Sequence, residues 1–151
     1  MKFSSAEEYG LRCLMNFCDA FDKNKSLTIP EISRKEKIPE HTIAKILREL
    51  RLGGFLVSER GHLGGYSLAR PPEEINIGNV LKTLGGKLYE EDTCKKYSGL
   101  SETCIHTKNC KVRKLWEFLQ QTLDGVLLDI TLRDLTTSSI PLKPEKIERE
   151  L

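Results

Sequence analysis

The sequence predicts a mainly α fold with one small β-hairpin, and three observations predict it. Apolar residues recur at helical intervals over residues 4–22, 41–52, 77–84 and 111–135. The stretch "FLVSERGHLGGYSLAR" holds two strand-like runs around a glycine-rich tip. No apolar run approaches the roughly 20 residues that a membrane-crossing helix needs, and 38% hydrophobic with 30% charged residues over 151 positions is the composition of a globular chain.

The first helix spans residues 4–22. Ser4 or Ser5 caps it, Glu7 and Glu8 complement the positive end of its dipole, and Leu11, Leu14, Met15, Cys18 and Phe21 supply a core face. On that helix Cys13 and Cys18 read as small buried hydrophobes. After the loop "DKNKS", the segment "LTIPEISRKEKI" has a proline near a helix start and apolar Ile32, giving a short second helix. Pro39 interrupts it. A third helix follows from His41 to Leu52, with Ile43, Ile46, Leu47 and Leu50 turned inward and His41, Thr42, Lys45, Arg48 and Arg51 left polar. "GGF" ends it as glycine past a helix should.

Two short helices around a tight break, then a hairpin with a basic, glycine-rich tip, make a winged helix-turn-helix domain. "EEINIGNVLKTLGG" adds a turn and a helix carrying Ile77, Val80, Leu81 and Leu84. From Lys111 to Leu135 the residues Leu115, Trp116, Leu119, Leu123, Val126, Leu127 and Ile130 keep one helical rhythm, weakened at Gly125. So much apolar surface beyond a small domain calls for a partner, and a second copy of the helix in a two-fold homodimer supplies one. The predicted organisation is a winged domain over 1–86, a cysteine-bearing cofactor loop over 87–111, a long dimerisation helix over 112–137 and a flexible tail over 138–151.

Charge and motifs narrow the function. The net charge is only +2, but residues 25–70 hold nine Lys and Arg against five Asp and Glu, an excess that suits nucleic acid. In a winged domain the third helix can enter a major groove, with His41, Thr42 and Lys45 near base edges and Arg48 and Arg51 on phosphates. Arg60, at the wing, suits the negative potential of a narrow minor groove. The start "MKFSSAEEYGLRC" lacks the charged-then-apolar layout of a secretory signal, so a cytoplasmic protein is expected. The chain has three histidines and no HExxH or GxSxG pattern, so no enzymatic activity is expected.

Five cysteines is an odd number, which argues against a disulfide framework. Cys94, Cys104 and Cys110 lie in a polar, lysine-rich stretch, separated by nine and then five residues. Soft thiolates favour iron-sulfur clusters, zinc or copper(I), and three cysteines leave a cluster one ligand short. With His106 they would make a Cys3His zinc site, although one residue between Cys104 and His106 is tight for paired zinc ligands. Without a cofactor, thiol redox chemistry or a protein partner would carry the signal. Lys95, Lys96, Lys108 and Lys111 offset cluster charge or simply keep the loop soluble.

"RGHLGGYSLAR", with the opening "EEYGLR", the preceding "ILRELRLGGFLVSERG" and the later "LLDITLRDL", resembles the IscR/NsrR/CymR group of winged-helix transcription regulators, the Rrf-two family, over roughly residues 1–137. The resemblance implies a homodimer whose long helices cross at the interface and whose recognition helices and wings grip a palindromic double-stranded operator. By position it puts His41, Thr42 and Lys45 on bases and Arg60 in the minor groove. Ala44 stands where IscR has a glutamate that discriminates sites, so operator preference does not transfer. Members with three cysteines before the dimer helix bind an iron-sulfur cluster, here of either the 4Fe-4S or the 2Fe-2S kind. Arg113 stands where IscR has a ligating histidine and cannot ligate. Glu8 matches the acidic ligand that NsrR-like proteins donate from the opposite subunit and is the first choice for the fourth position; His106 is the second. The implied function is a regulator whose operator affinity follows its cluster, sensing nitric oxide, redox or iron and cluster status. The alternative is a winged-helix regulator with structural zinc or no cofactor.

Overall fold

The computed structural model describes residues 3–61, 64–87, 89 and 93–140. Wing-tip His62, four positions of the cysteine segment (88 and 90–92) and residues 141–151 of the expected flexible tail lie outside the described residues.

Helix α1 (Ser5–Phe21) opens with a reciprocal capping box: the Ser4 hydroxyl accepts from Glu7 N, and the Glu7 carboxylate accepts from Ser4 N at 2.7 Å. Its buried face is Gly10, Cys13, Leu14, Phe17 and Cys18. Met15 and Phe21, expected in the core, are exposed, because the face that α2, α3 and α4 cover is rotated toward Cys13 and Phe17. Gly10 lets α4 pack closely there: a Cβ would run into the Leu84 side chain, which would have to move aside.

Helix α2 (Ile29–Glu36) starts on a second capping box, Thr28 with Glu31, and buries Ile32. Its C-cap, Lys37, is left-handed at φ 59°. Ile38 then plunges into the core, Ser33 Oγ donates to the Ile38 carbonyl at 2.6 Å, and Pro39 opens α3 (Glu40–Leu52). The break expected at Pro39 is thus made jointly by a left-handed lysine, a hydroxyl lock and the proline.

Strands β1 (Leu56–Glu59) and β2 (Gly65–Leu68) pair antiparallel, Leu56 with Leu68 through Glu59 with Gly65. Leu27, ahead of α2, adds an isolated bridge to Tyr66: Leu27 N donates to Tyr66 O at 2.9 Å and Tyr66 N donates back at 2.8 Å. That bridge was not expected. Gly65, at φ +132°, permits it, since a Cβ would sit 2.9 Å from Leu27 O.

A 3₁₀ turn at Pro72–Glu74 leads to α4 (Ile77–Gly85), then the one-turn α5 (Thr93–Lys96) and α6 (Lys111–Leu127). The helix expected to run unbroken to Leu135 instead stops at Leu127, and α7 (Leu132–Thr136) restarts on a Thr131–Asp134 capping box. Asn76 holds the break: its side-chain NH2 shares its two hydrogens among the carbonyls of Leu127, Leu128 and Ile130, at 2.9, 2.8 and 3.2 Å, the last residue of α6, its C-cap and a residue beyond. Its own Oδ1 caps α4. Helix α7 then returns to the winged domain, burying Leu132 fully and pairing Arg133 with Asp22 and Glu73 at 2.7 Å each. One core joins α1 to α4, both strands, Ile130 and Leu132. Helix α6 contributes no buried residue.

Candidate DNA interface and cysteine site

On α3, His41, Lys45, Arg48 and Leu52 are exposed and follow one stripe at i, i+4, i+7 and i+11, while the opposite stripe of Ile43, Ile46, Leu47 and Leu50 is buried. Arg51 is exposed on one flank, and Thr42 is half-buried on the other. Arg60 is exposed directly after β1. Among the described residues none of the cations Lys45, Arg48, Arg51 and Arg60 takes part in a salt bridge, so their charge is not already neutralised. Helices α1 and α2 are tied to each other by side-chain hydrogen bonds. Arg12 donates from Nε to Glu36 Oε2 and from Nη2 to Glu36 O, both at 2.8 Å, and buried Asn16 donates to Glu36 Oε1 at 2.5 Å. Glu36 is held below the usual carboxylate range, first by the Asn16 hydrogen bond and then by Arg12.

The five cysteines divide into two populations. Cys13 and Cys18 are buried, as expected, and burial pushes the Cys13 thiol up to about 12. Cys94, Cys104 and Cys110 are half-buried free thiols. Cys94, on α5, and Cys104 line one open pocket of about 560 Å³ with Tyr89, Thr107, Arg113 and Glu117. Cys110 is the N-cap of α6, its sulfur accepting from Arg113 N at 3.3 Å. The Arg113 guanidinium reaches the other way, donating from Nη2 to Cys94 Sγ at 3.4 Å and to the Thr107 carbonyl at 3.2 Å. The hydrogen bond to Cys94 also raises the guanidinium pKa, and burial, then Cys94, raises that of Tyr89.

In donor chemistry these residues fit a thiophilic group: two of the three thiols, Cys94 and Cys110, accept N–H bonds from one arginine, and Cys104 lines the same pocket as Cys94. In geometry the cage is open within one chain, because among the described residues no three His, Cys, Asp or Glu side chains are placed to hold a metal ion. His106 and Glu8 are both exposed and neither lines the pocket. Sequence reasoning set Arg113 aside as a non-ligand and missed that it joins the thiols; its place three residues after an N-capping cysteine was the available signal.

The family described as "Rrf2: Iron-dependent Transcriptional regulator" matches residues 3–138. The chain belongs to the Rrf2 family. It is 33% identical over 150 residues to the HTH-type transcriptional regulator NsrR of Geobacillus kaustophilus, covering 99% of each chain. Among solved structures, a putative transcriptional regulator from Listeria innocua superposes with a TM-score of 0.71 at 25% identity, covering 97% of this chain and 93% of the other. The T. potens IscR structure also gives a TM-score of 0.71, at 24% identity over 92% and 88% of the two chains. For this Rrf2 protein the expected mainly α, winged-helix fold therefore stands, as does its place among DNA-binding transcription regulators. No helix among the described residues is long and apolar enough to cross a membrane.

Proposed function

We propose that this Rrf2 protein is a homodimeric, cytoplasmic regulator whose grip on a palindromic operator is set by an iron-sulfur cluster held by Cys94, Cys104 and Cys110. Glu8 of the partner subunit is the first candidate for the remaining ligand and His106 the second. The observation that carries this is the double role of Cys110: it is a thiol of the site and the N-cap of α6, so events at sulfur bear directly on the first turn of that helix.

Helix α6 supports the dimer. Val112, Leu115, Trp116, Leu119 and Val126 lie exposed at helical spacing on an element with no buried residue, a stripe that a second copy would cover. The DNA side of the proposal assigns base edges to His41, Thr42 and Lys45, phosphates to Arg48 and Arg51, and the minor groove to Arg60. When bound, the cluster would supply reactivity toward nitric oxide, oxygen or chelators at its most weakly ligated iron. The chain's own part is mechanical. The cysteine loop is tied to α6, α6 to α4 through Lys82 and Asp124 at 3.3 Å, and α4 to α1 at Gly10. A coupling of about 1–3 kcal/mol along that route would change operator affinity about five- to 150-fold.

Protein purified without oxygen should show visible sulfur-to-iron charge-transfer bands, with iron and sulfide by analysis, and Cys104→Ala should abolish them. Colourless protein with stoichiometric zinc, or with no metal even after reconstitution, would reject the cluster.

A further inference from the structure

We propose that Arg113 is a positioning residue that shapes the cysteine loop before any metal arrives, and thereby governs how firmly a thiolate-held group is retained. The second half rests on the cluster function proposed above; the first does not.

Three hydrogen bonds from this one residue close the loop onto α6. Its backbone N–H donates to Cys110 Sγ, and its Nη2 donates to both Cys94 Sγ and the Thr107 carbonyl. Thr107 in turn donates its hydroxyl and its amide to the Cys104 carbonyl, so holding Thr107 also holds the turn that carries Cys104. The side chain thus holds the Cys94 sulfur directly, nineteen positions away, and the Cys104 turn through Thr107, while the backbone N–H, which any substitution but proline would keep, holds the Cys110 sulfur. The guanidinium Nε is buried with no partner among the described residues, which leaves a donor unused inside a sulfur-lined site. Only arginine combines a permanent charge with a rigid fork of several N–H donors; lysine would supply the charge as a mobile point. Outer-shell donors of this kind orient ligands and offset the negative charge of a thiolate-bound centre.

The neighbouring Lys114 provides the control. It lies on the same turn of α6, is exposed, and directs no side-chain hydrogen bond at the loop among the described residues.

The experiment compares full-length wild type, Arg113→Gln, Arg113→Lys and Lys114→Gln in two measurements. In metal-free protein, hydrogen exchange of amides 104–110 is expected to quicken roughly tenfold in Arg113→Gln. Arg113→Lys should stay close to it, Lys114→Gln should match wild type, and α1–α3 should remain protected in all four, showing an intact fold. In anaerobic titration with cobalt(II) as a thiolate probe, Arg113→Gln is expected to bind about tenfold or more weakly, and Lys114→Gln unchanged. Unaltered loop exchange in Arg113→Gln overturns the proposal, as does an equal effect of Lys114→Gln, which would reduce it to net charge. Faster loop exchange in Arg113→Gln beside a wild type that holds neither cobalt nor a reconstituted cluster supports the positioning role and overturns the cluster function instead.

Discussion

Cys13 and Cys94 show how one residue type takes two characters from its surroundings. The first is fully buried on α1, with its thiol raised to about 12, and so carries almost no thiolate at neutral pH. The second is half-buried beside a guanidinium. Brief alkylation of native apo-protein should therefore label Cys94, Cys104 and Cys110 and spare Cys13 and Cys18, as peptide mass spectrometry would read. At Glu36 the sign of a pH effect follows from its depressed folded value. Its hydrogen bonds stabilise the fold above the unfolded value and lose that effect as pH falls through the folded one. Glu36→Gln should thus lower the thermal midpoint near about pH 7 and flatten its decline toward about pH 3. For the DNA face, Arg48→Ala should reduce the salt slope of operator binding by about one. Lys45→Ala should cost about 1–3 kcal/mol and relax preference at one base position. Unchanged binding in both variants would move the interface elsewhere.

Among the elements, those written in periodicity and caps were legible and those written in tertiary hydrogen bonds were not. Helices α1 to α4 and the hairpin follow from apolar spacing, Ser4, the proline at the start of α2, Pro39 and the "GGF" stop, all local signals; the Thr28 cap was another such signal that went unread. The split between α6 and α7 escaped because Leu127 and Ile130 keep the helical rhythm across it; the Thr131-x-x-Asp134 box was the local sign, and the decisive group, Asn76, lies some fifty positions earlier. The Leu27–Tyr66 bridge escaped likewise, since a single paired residue has no period. Two outcomes follow for stability in urea. Leu132→Ala should cost about 2–5 kcal/mol, as expected of a fully buried core leucine and not of a dispensable C-terminal turn. Lys37→Gly should be neutral to mildly stabilising, because relief of a left-handed lysine, about 1–2 kcal/mol, outweighs the added entropy of the unfolded chain.

For the whole molecule, the core of the winged unit is completed by Ile130 and Leu132 from beyond α6, while α6 itself has an apolar face that this chain leaves uncovered. On the dimer proposed above, Trp116→Glu should sediment as a monomer in analytical ultracentrifugation where wild type sediments as a dimer, and should weaken binding to a two-half-site operator far more than to a single half-site. Dimeric Trp116→Glu protein would show that the interface lies off this stripe. At this scale the sequence was most informative about what kind of molecule this is and least about how the thiols meet. The "RGHLGGYSLAR" wing and the three-cysteine spacing pointed to the family and to a thiol site. That Cys94 and Cys110 both meet Arg113 depends on how a loop with little periodicity folds back against α6.

The Leu27–Tyr66 bridge carries a consequence for operator architecture. Because it rivets the entry to α2 onto the wing, the gap between the α3 stripe and Arg60 is preset inside each protomer, like the jaw of a fixed-span calliper. With Lys45 and Arg60 in the grooves proposed for them, a base pair inserted within a half-site should be far more damaging than one inserted at the dyad, where two such callipers are free to shift against each other.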